Sequence, residues 1–156
     1  MKRYFFLFIL FLFIAPSIAH ARAVALPVST LNPLNKRIDI DISEQQLRYY
    51  EGDRIIGHIL ISSARKGYWT PRGTFAVQIK RPAVLYQGFN PDGTRSYYYP
   101  NTKWNMQIIP HYYIHGAFWH NNFGVPMSHG CVNVSYKDME GLYNWADVGI
   151  QIFIHE

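Results

Sequence analysis

The sequence holds a single cysteine, Cys131, so no disulfide can close within the chain. Charge is scarce as well: Asp, Glu, Lys and Arg make up 16% of the residues, against 49% hydrophobic and 17% aromatic. So much apolar surface collapses in water, which excludes a disordered tail. No internal repeat or low-complexity stretch follows the first residues, and 156 residues suit one domain with a sizeable core. An excess of one charge sign is also missing. The formal charge is +5, and without Lys2 and Arg3 thirteen basic residues face ten acidic ones, a net of +3. A charge that small steers weakly at physiological salt and gives no reason to expect a nucleic-acid partner.

The one long apolar run, Phe5 to Ala15, is about half of the roughly 20 residues a membrane-crossing helix needs. It follows Lys2 and Arg3 and leads through Pro16 to Ala19-His20-Ala21, a small-x-small cleavage pattern. Residues 1–21 therefore read as a secretory signal cleaved after Ala21, with Ala21-Arg22-Ala23 as a second site. An uncleaved membrane anchor is the competing reading. No cysteine follows the run for lipid attachment, and the mature chain is expected in the periplasm or cell-wall space without a stable anchor. Residues 22–35 read as a leader, and residues 36–156 as one catalytic domain.

From Arg37 a period of two takes over. Arg37 to Ile42 alternates charged and apolar residues, and Leu47 to Tyr50, a turn at Glu51-Gly52-Asp53 and Ile55 to Ser62 read as a hairpin. Thr70-Pro71-Arg72-Gly73 is a tight-turn cluster before a strand over 74–79. Residues 82–103 carry a turn at Asn90-Pro91-Asp92-Gly93 flanked by aromatics, and part of this segment is expected to cover a cleft. Short strands follow at Met106 to Ile109, Tyr112 to Ile114 and Gly149 to Ile154. The one helix spans Tyr136 to Ala146, with Ser135 and Asp138 in capping-box spacing and Met139, Leu142, Tyr143 and Ala146 on one face. The expected fold is mostly β, with one helix near the C-terminus.

Chemistry concentrates in residues 114–133, which hold the sole Cys and three of the seven His. A free thiol is often a small buried apolar residue. In an exported chain, however, it is open to oxidation, and its presence asks for a reason. Gly130 before Cys131 lets a ligand carbonyl approach and leaves the amides of Gly130 and Cys131 to face it. A nucleophile needs a base, an orienter for that base and oxyanion donors, and this stretch holds residues for all of them.

His115-Gly116 and, after a loop, Ser128-His129-Gly130-Cys131-Val132-Asn133 resemble the signature of the L,D-transpeptidase (YkuD-like) family of bacterial cell-wall enzymes. Thr70-Pro71-Arg72-Gly73-Thr74-Phe75 resembles the family's Thr-Pro-x-Gly-x-Phe segment, so the likeness covers roughly residues 36–155. It implies an L,D-transpeptidase-like antiparallel β-sandwich, with Cys131 as nucleophile and His115 as its proton partner. It further implies that the carbonyl of Gly116 orients the imidazole, and that Ser128, His129 and Asn133 shape the nucleophile loop. Ala117 departs from the Thr or Ser often found there, which leaves any hydroxyl at that point in doubt. The implied donor is a peptidoglycan tetrapeptide stem cut after its third, diamino-acid residue with release of D-Ala, and the acceptor is an amine of another stem. No cofactor is implied.

The chemistry also follows from the residues. A thiol with a pKa near ~8.5 is mostly protonated at neutral pH, and a His partner can lower that to give an ion pair. Other readings compete. His115, His120, His129 and Cys131 are a possible metal set, but their spacing fits no familiar zinc pattern. A non-catalytic peptidoglycan-binding module would use the aromatics between Tyr86 and Trp119 as its platform. Papain-like peptidases place Cys before His, the reverse of the order here. Water as acceptor would make the enzyme an L,D-carboxypeptidase.

Overall fold

Ile38 and Ile40 are wholly buried and their neighbours are not, and this alternation builds β1 (Lys36–Asp41). The computed structural model describes residues 35–156; residues 1–21, read as a signal, and all but the last residue of 22–35, read as a leader, lie outside the described residues. β1 pairs antiparallel with β2 (Gln46–Glu51), and β2 with β3 (Arg54–Ser62). β4 (Gly73–Ala76) is short. β5 (Ile79–Phe89) and β6 (Arg95–Ile109) form a long antiparallel hairpin. β7 (Tyr112–Ala117) and β8 (Val132–Ser135) follow, then α1 (Tyr136–Trp145) and β9 (Gln151–His155). The strand order is β4-β9-β1-β2-β3-β8-β7-β6-β5. β3 joins the two halves, since most of it pairs with β2 while Ile61 and Ser62 pair with Val134 and Asn133 of β8.

The fold is mostly β with one helix, as the sequence implies, and most pairings are antiparallel. Two are parallel, β1 with β9 and β7 with β8. A parallel pair needs a long crossover. For β7 and β8 that crossover is residues 118–131, which carry the loop from Ser128 to Cys131.

One apolar cluster fills the interior, with Ile38, Ile40, Leu47 and Ile152 from one half of the sheet and Met106, Ile114, Val132 and Val134 from the other. Met139 and Leu142 of α1 close it. At the start of α1 the Ser135 hydroxyl accepts from the Asp138 N–H at 3.2 Å and donates to the Asp138 carboxylate at 2.6 Å.

Residues 82–103 are strand apart from the turn, and Tyr86, Tyr97 and Tyr99 of this segment line a cavity. Asn90 N–H donates to Thr94 O, and Gly93 takes φ +83°. Pro82 is tolerated because β5 is the last strand of the sheet and has a free edge. Half-buried and exposed positions alternate along much of β5, but exposed apolar residues such as Leu85 and Phe89 hide that period in the sequence.

Candidate active site

The parallel pairing of β7 and β8 sets His115 level with Asn133, and Ile114 level with Val132. Side chains alternate faces along a strand. Ile114, Val132 and Val134 thus enter the core, while His115 and Asn133 face the other way. Cys131, two residues before Asn133, shares that face with His115 as its diagonal neighbour. The two residues are sixteen positions apart in sequence, and the β7–β8 register brings them to one face. They line a cavity of about 510 Å³ with Tyr86, Tyr97, Tyr99 and Trp119.

His115 is 3% exposed. Its Nδ1 lies 3.0 Å from the carbonyl oxygen of Gly116. A carbonyl only accepts, so the hydrogen sits on Nδ1 and Nε2 keeps its lone pair. Tyr86 of β5 stacks on the ring at 4.6 Å between centroids and 26° between planes, and its hydroxyl donates to Asn105 Oδ1 at 3.0 Å. Burial pushes the imidazole down to about 4, with the Gly116 carbonyl opposing and His120 adding slightly.

The Cys131 thiol is pushed up to about 11 by burial, although the backbone N–H of Tyr113 favours the thiolate. Its S–H donates to His111 O at 3.7 Å, at the turn between β6 and β7. Among the described residues, the sulfur is bonded by backbone groups, His111 O and the Tyr113 N–H, and not by the imidazole. The thiolate–imidazolium pair expected from sequence is thus disfavoured by burial of both groups. Burial disfavours the charged form of each group, which favours the neutral thiol over thiolate and the neutral imidazole over imidazolium.

Ser128 closes the nucleophile loop on itself: its hydroxyl donates to Cys131 O at 2.5 Å and accepts from Gly130 N–H at 3.0 Å. The expectation of a free Gly130 amide is thus not met, because Ser128 already occupies it. Gly130 is required for a different reason. Its φ is +140°, and a Cβ there would lie 2.7 Å from the Tyr112 ring and 3.1 Å from Trp69 O. At Gly116 a Cβ would lie 2.6 Å from the Tyr136 ring and 3.0 Å from Lys103 O, so the fold packs tightly against the residue whose carbonyl holds the imidazole.

His129 is exposed, and its contacts are with other residues than Cys131. Its Nε2 is 2.8 Å from Arg65 Nη2, Tyr97 stacks on it at 5.4 Å, and Tyr68 meets it edge-on at 4.5 Å. Burial and the Arg65 charge lower its pKa. The Asn133 amide bonds His120 Nε2 at 3.1 Å. Among the described residues no three His, Cys, Asp or Glu side chains converge to hold a metal ion.

Sequence reasoning missed three residues. Thr70, read as part of a turn, donates from Oγ1 to Gly130 O at 2.9 Å and accepts from Ala64 N–H at 3.0 Å. Its place in the Thr-Pro-x-Gly segment was the available signal. Tyr86 was only one aromatic among many, and nothing local marks Arg65.

A family model described as the L,D-transpeptidase catalytic domain, YkuD, matches residues 35–154. The chain belongs to the L,D-transpeptidase family. This L,D-transpeptidase domain is 28% identical over 118 residues to a Bacillus licheniformis protein, YkuD, assigned by name to the same enzymes. That match covers 76% of this chain and 64% of the other. The catalytic domain of an Enterococcus faecium L,D-transpeptidase is similar at 27% identity and a TM-score of 0.66, over 77% of this chain and 96% of that one. L,D-transpeptidase 3 from Mycobacterium tuberculosis shares the fold, with a TM-score of 0.70 at 23% identity, over 78% of this chain and 61% of that one. The chain thus spans less than two thirds of the length of the Bacillus and mycobacterial proteins.

Proposed function

We propose that this domain is a cysteine-dependent acyltransferase that cross-links peptidoglycan. The observation that carries the reading is the placement of Cys131 and His115 on one face of the β7–β8 pair, with the imidazole Nδ1 held by Gly116 O. As the sulfur attacks the carbonyl of the third residue of a tetrapeptide stem, its proton passes to His115 Nε2 and an S–C bond forms. Because burial favours the neutral form of both groups, proton transfer accompanies the attack, and the negative charge moves to the carbonyl oxygen rather than resting on sulfur. The Cys131 backbone N–H is the proposed donor to that oxygen, since Ser128 engages Gly130. Collapse breaks the C–N bond, and His115 returns the proton to the departing D-Ala amine. An acceptor amine then attacks the thioester, loses a proton to His115 and releases the thiol. Ser128, His129 and Asn133 act by holding the loop and its flanks.

The substrate lies outside the cytoplasmic membrane, which agrees with residues 1–21 as a secretory signal. An intact mass starting at Arg22 for secreted protein would support that export, and a retained N-terminus would refute it. The central experiment incubates purified protein with disaccharide-tetrapeptide and reads the products by mass spectrometry. Loss of D-Ala with dimer formation is expected, and Cys131→Ala and His115→Ala should each abolish it. Loss of D-Ala alone identifies a carboxypeptidase using water. Full activity in Cys131→Ala refutes the cysteine mechanism. No product, together with no covalent adduct from a carbapenem, refutes the enzyme reading.

A further inference from the structure

Arg65 lies in the connection between β3 and β4, on a strap tied to the nucleophile loop. Its N–H donates to Ser128 O at 3.0 Å, and its neighbour Ala64 bridges to Ser128. The side chain lines the cavity. The guanidinium rests 2.8 Å from His129 Nε2 and 5.3 Å from the centroid of the Tyr68 ring. Arg48, Arg54 and Arg72 are each matched to a carboxylate, of Glu44, Glu51 and Glu156 respectively. Among the described residues Arg65 has no such partner, and no Asp or Glu lines the cavity. It is thus a fixed cation facing a space without an anion. One of its hydrogens goes to His129, and the rest of a five-donor planar fork is left for a ligand that fits it, a carboxylate.

We propose that Arg65 is the carboxylate anchor of the donor stem, binding a free carboxylate beside the scissile bond. This rests on the transpeptidase reading of the site and adds its specificity. A tetrapeptide stem offers two such groups near that bond: the α-carboxylate of the terminal D-residue, and the carboxylate at the side-chain end of a diaminodicarboxylic third residue. Two features favour anchoring from the strap. The backbone bond of Arg65 ties its strap to the loop that carries Cys131, and His129, stacked with Tyr97, holds the guanidinium together with the Tyr68 ring. A planar fork held on two sides discriminates more sharply than a mobile ammonium.

The test measures kcat and KM of wild type, Arg65→Gln and Arg65→Lys with three donors: the free stem, its C-terminal amide, and the stem amidated at the third-residue carboxylate. With the free stem, Arg65→Gln should lose roughly tenfold or more in kcat/KM, chiefly through KM, as expected for a charge-assisted bond. The loss should vanish on the donor whose capped group is the one Arg65 binds, which identifies the carboxylate. Arg65→Lys should recover part of the loss, and the wild-type KM for the free stem should rise with salt. Equal losses on all three donors, or no loss on any, overturn the proposal, the first by assigning Arg65 a purely structural role. Slower iodoacetamide alkylation of Cys131 in Arg65→Gln would likewise point to a displaced loop and overturn it. If wild type turns over none of the donors, the transpeptidase reading itself fails.

Discussion

Thr70→Val tests how the nucleophile loop is held. The Thr70 hydroxyl donates to Gly130 O and accepts from Ala64 N–H, and the residue is 3% exposed. Valine has nearly the same shape, so the change removes both bonds without opening a cavity. It leaves a donor and an acceptor unpaired, each costing about 1–3 kcal/mol when buried. A total of about 3 kcal/mol is expected, which for a domain of this size lowers the melting midpoint by roughly 10–15 °C. Thr70→Ser keeps both bonds and loses one methyl, so it should cost only about 1 kcal/mol. Urea unfolding should move its midpoint with an unchanged slope, since the exposed surface is the same in all three proteins. Acyl transfer should fall in Thr70→Val at temperatures where it remains folded, because Gly130 precedes the nucleophile, and should be retained in Thr70→Ser. A Thr70→Val midpoint equal to wild type, or Thr70→Ser as unstable as Thr70→Val, would refute the reasoning.

Three further perturbations probe the other supports of the site. His115 is held at about 4 by burial, below its unfolded value of about 6.5, so the unfolded state binds its proton more readily. Stability from this residue is complete above pH ~6.5 and declines as pH falls toward 4, by on the order of 3 kcal/mol. Wild type should therefore lose stability relative to His115→Gln across that window, and parallel stability–pH curves would refute it. Tyr86→Phe keeps the stack on His115 and loses only the Asn105 bond, so about 1 kcal/mol of stability should go with activity retained. Tyr86→Ala frees the ring and should lower kcat about tenfold or more, and wild-type kcat in that variant would refute a positioning role. Gly116→Ala drives a methyl into the Tyr136 ring and Lys103 O, and overpacking of this kind costs about 1–3 kcal/mol. An unchanged thermal midpoint would show that the packing yields more easily than the distances imply.

What was legible in the sequence is what local pattern can carry. Ile38 and Ile40 alternate with charge because one face of β1 is buried, and Ser135 with Asp138 marks the start of α1 because capping acts within one turn. Cys131, His115 and Gly116 stand in a motif whose spacing could be read without coordinates. The long pairing of β5 with β6 was not legible, since apolar residues such as Leu85 and Phe89 stand on its exposed positions and blur the period of two.

Tertiary structure alone decided the rest. The Thr70 to Gly130 bond joins residues 60 positions apart, and the diagonal placement of Cys131 and His115 depends on the parallel register of β7 and β8. The preference of both groups for the neutral form, and a cation at Arg65 facing a cleft without acids, arise from what surrounds each group in space. Desolvation and long-range hydrogen bonding are properties of the assembled chain, so a linear pattern can point to candidate site residues but cannot assign their charge or what holds them.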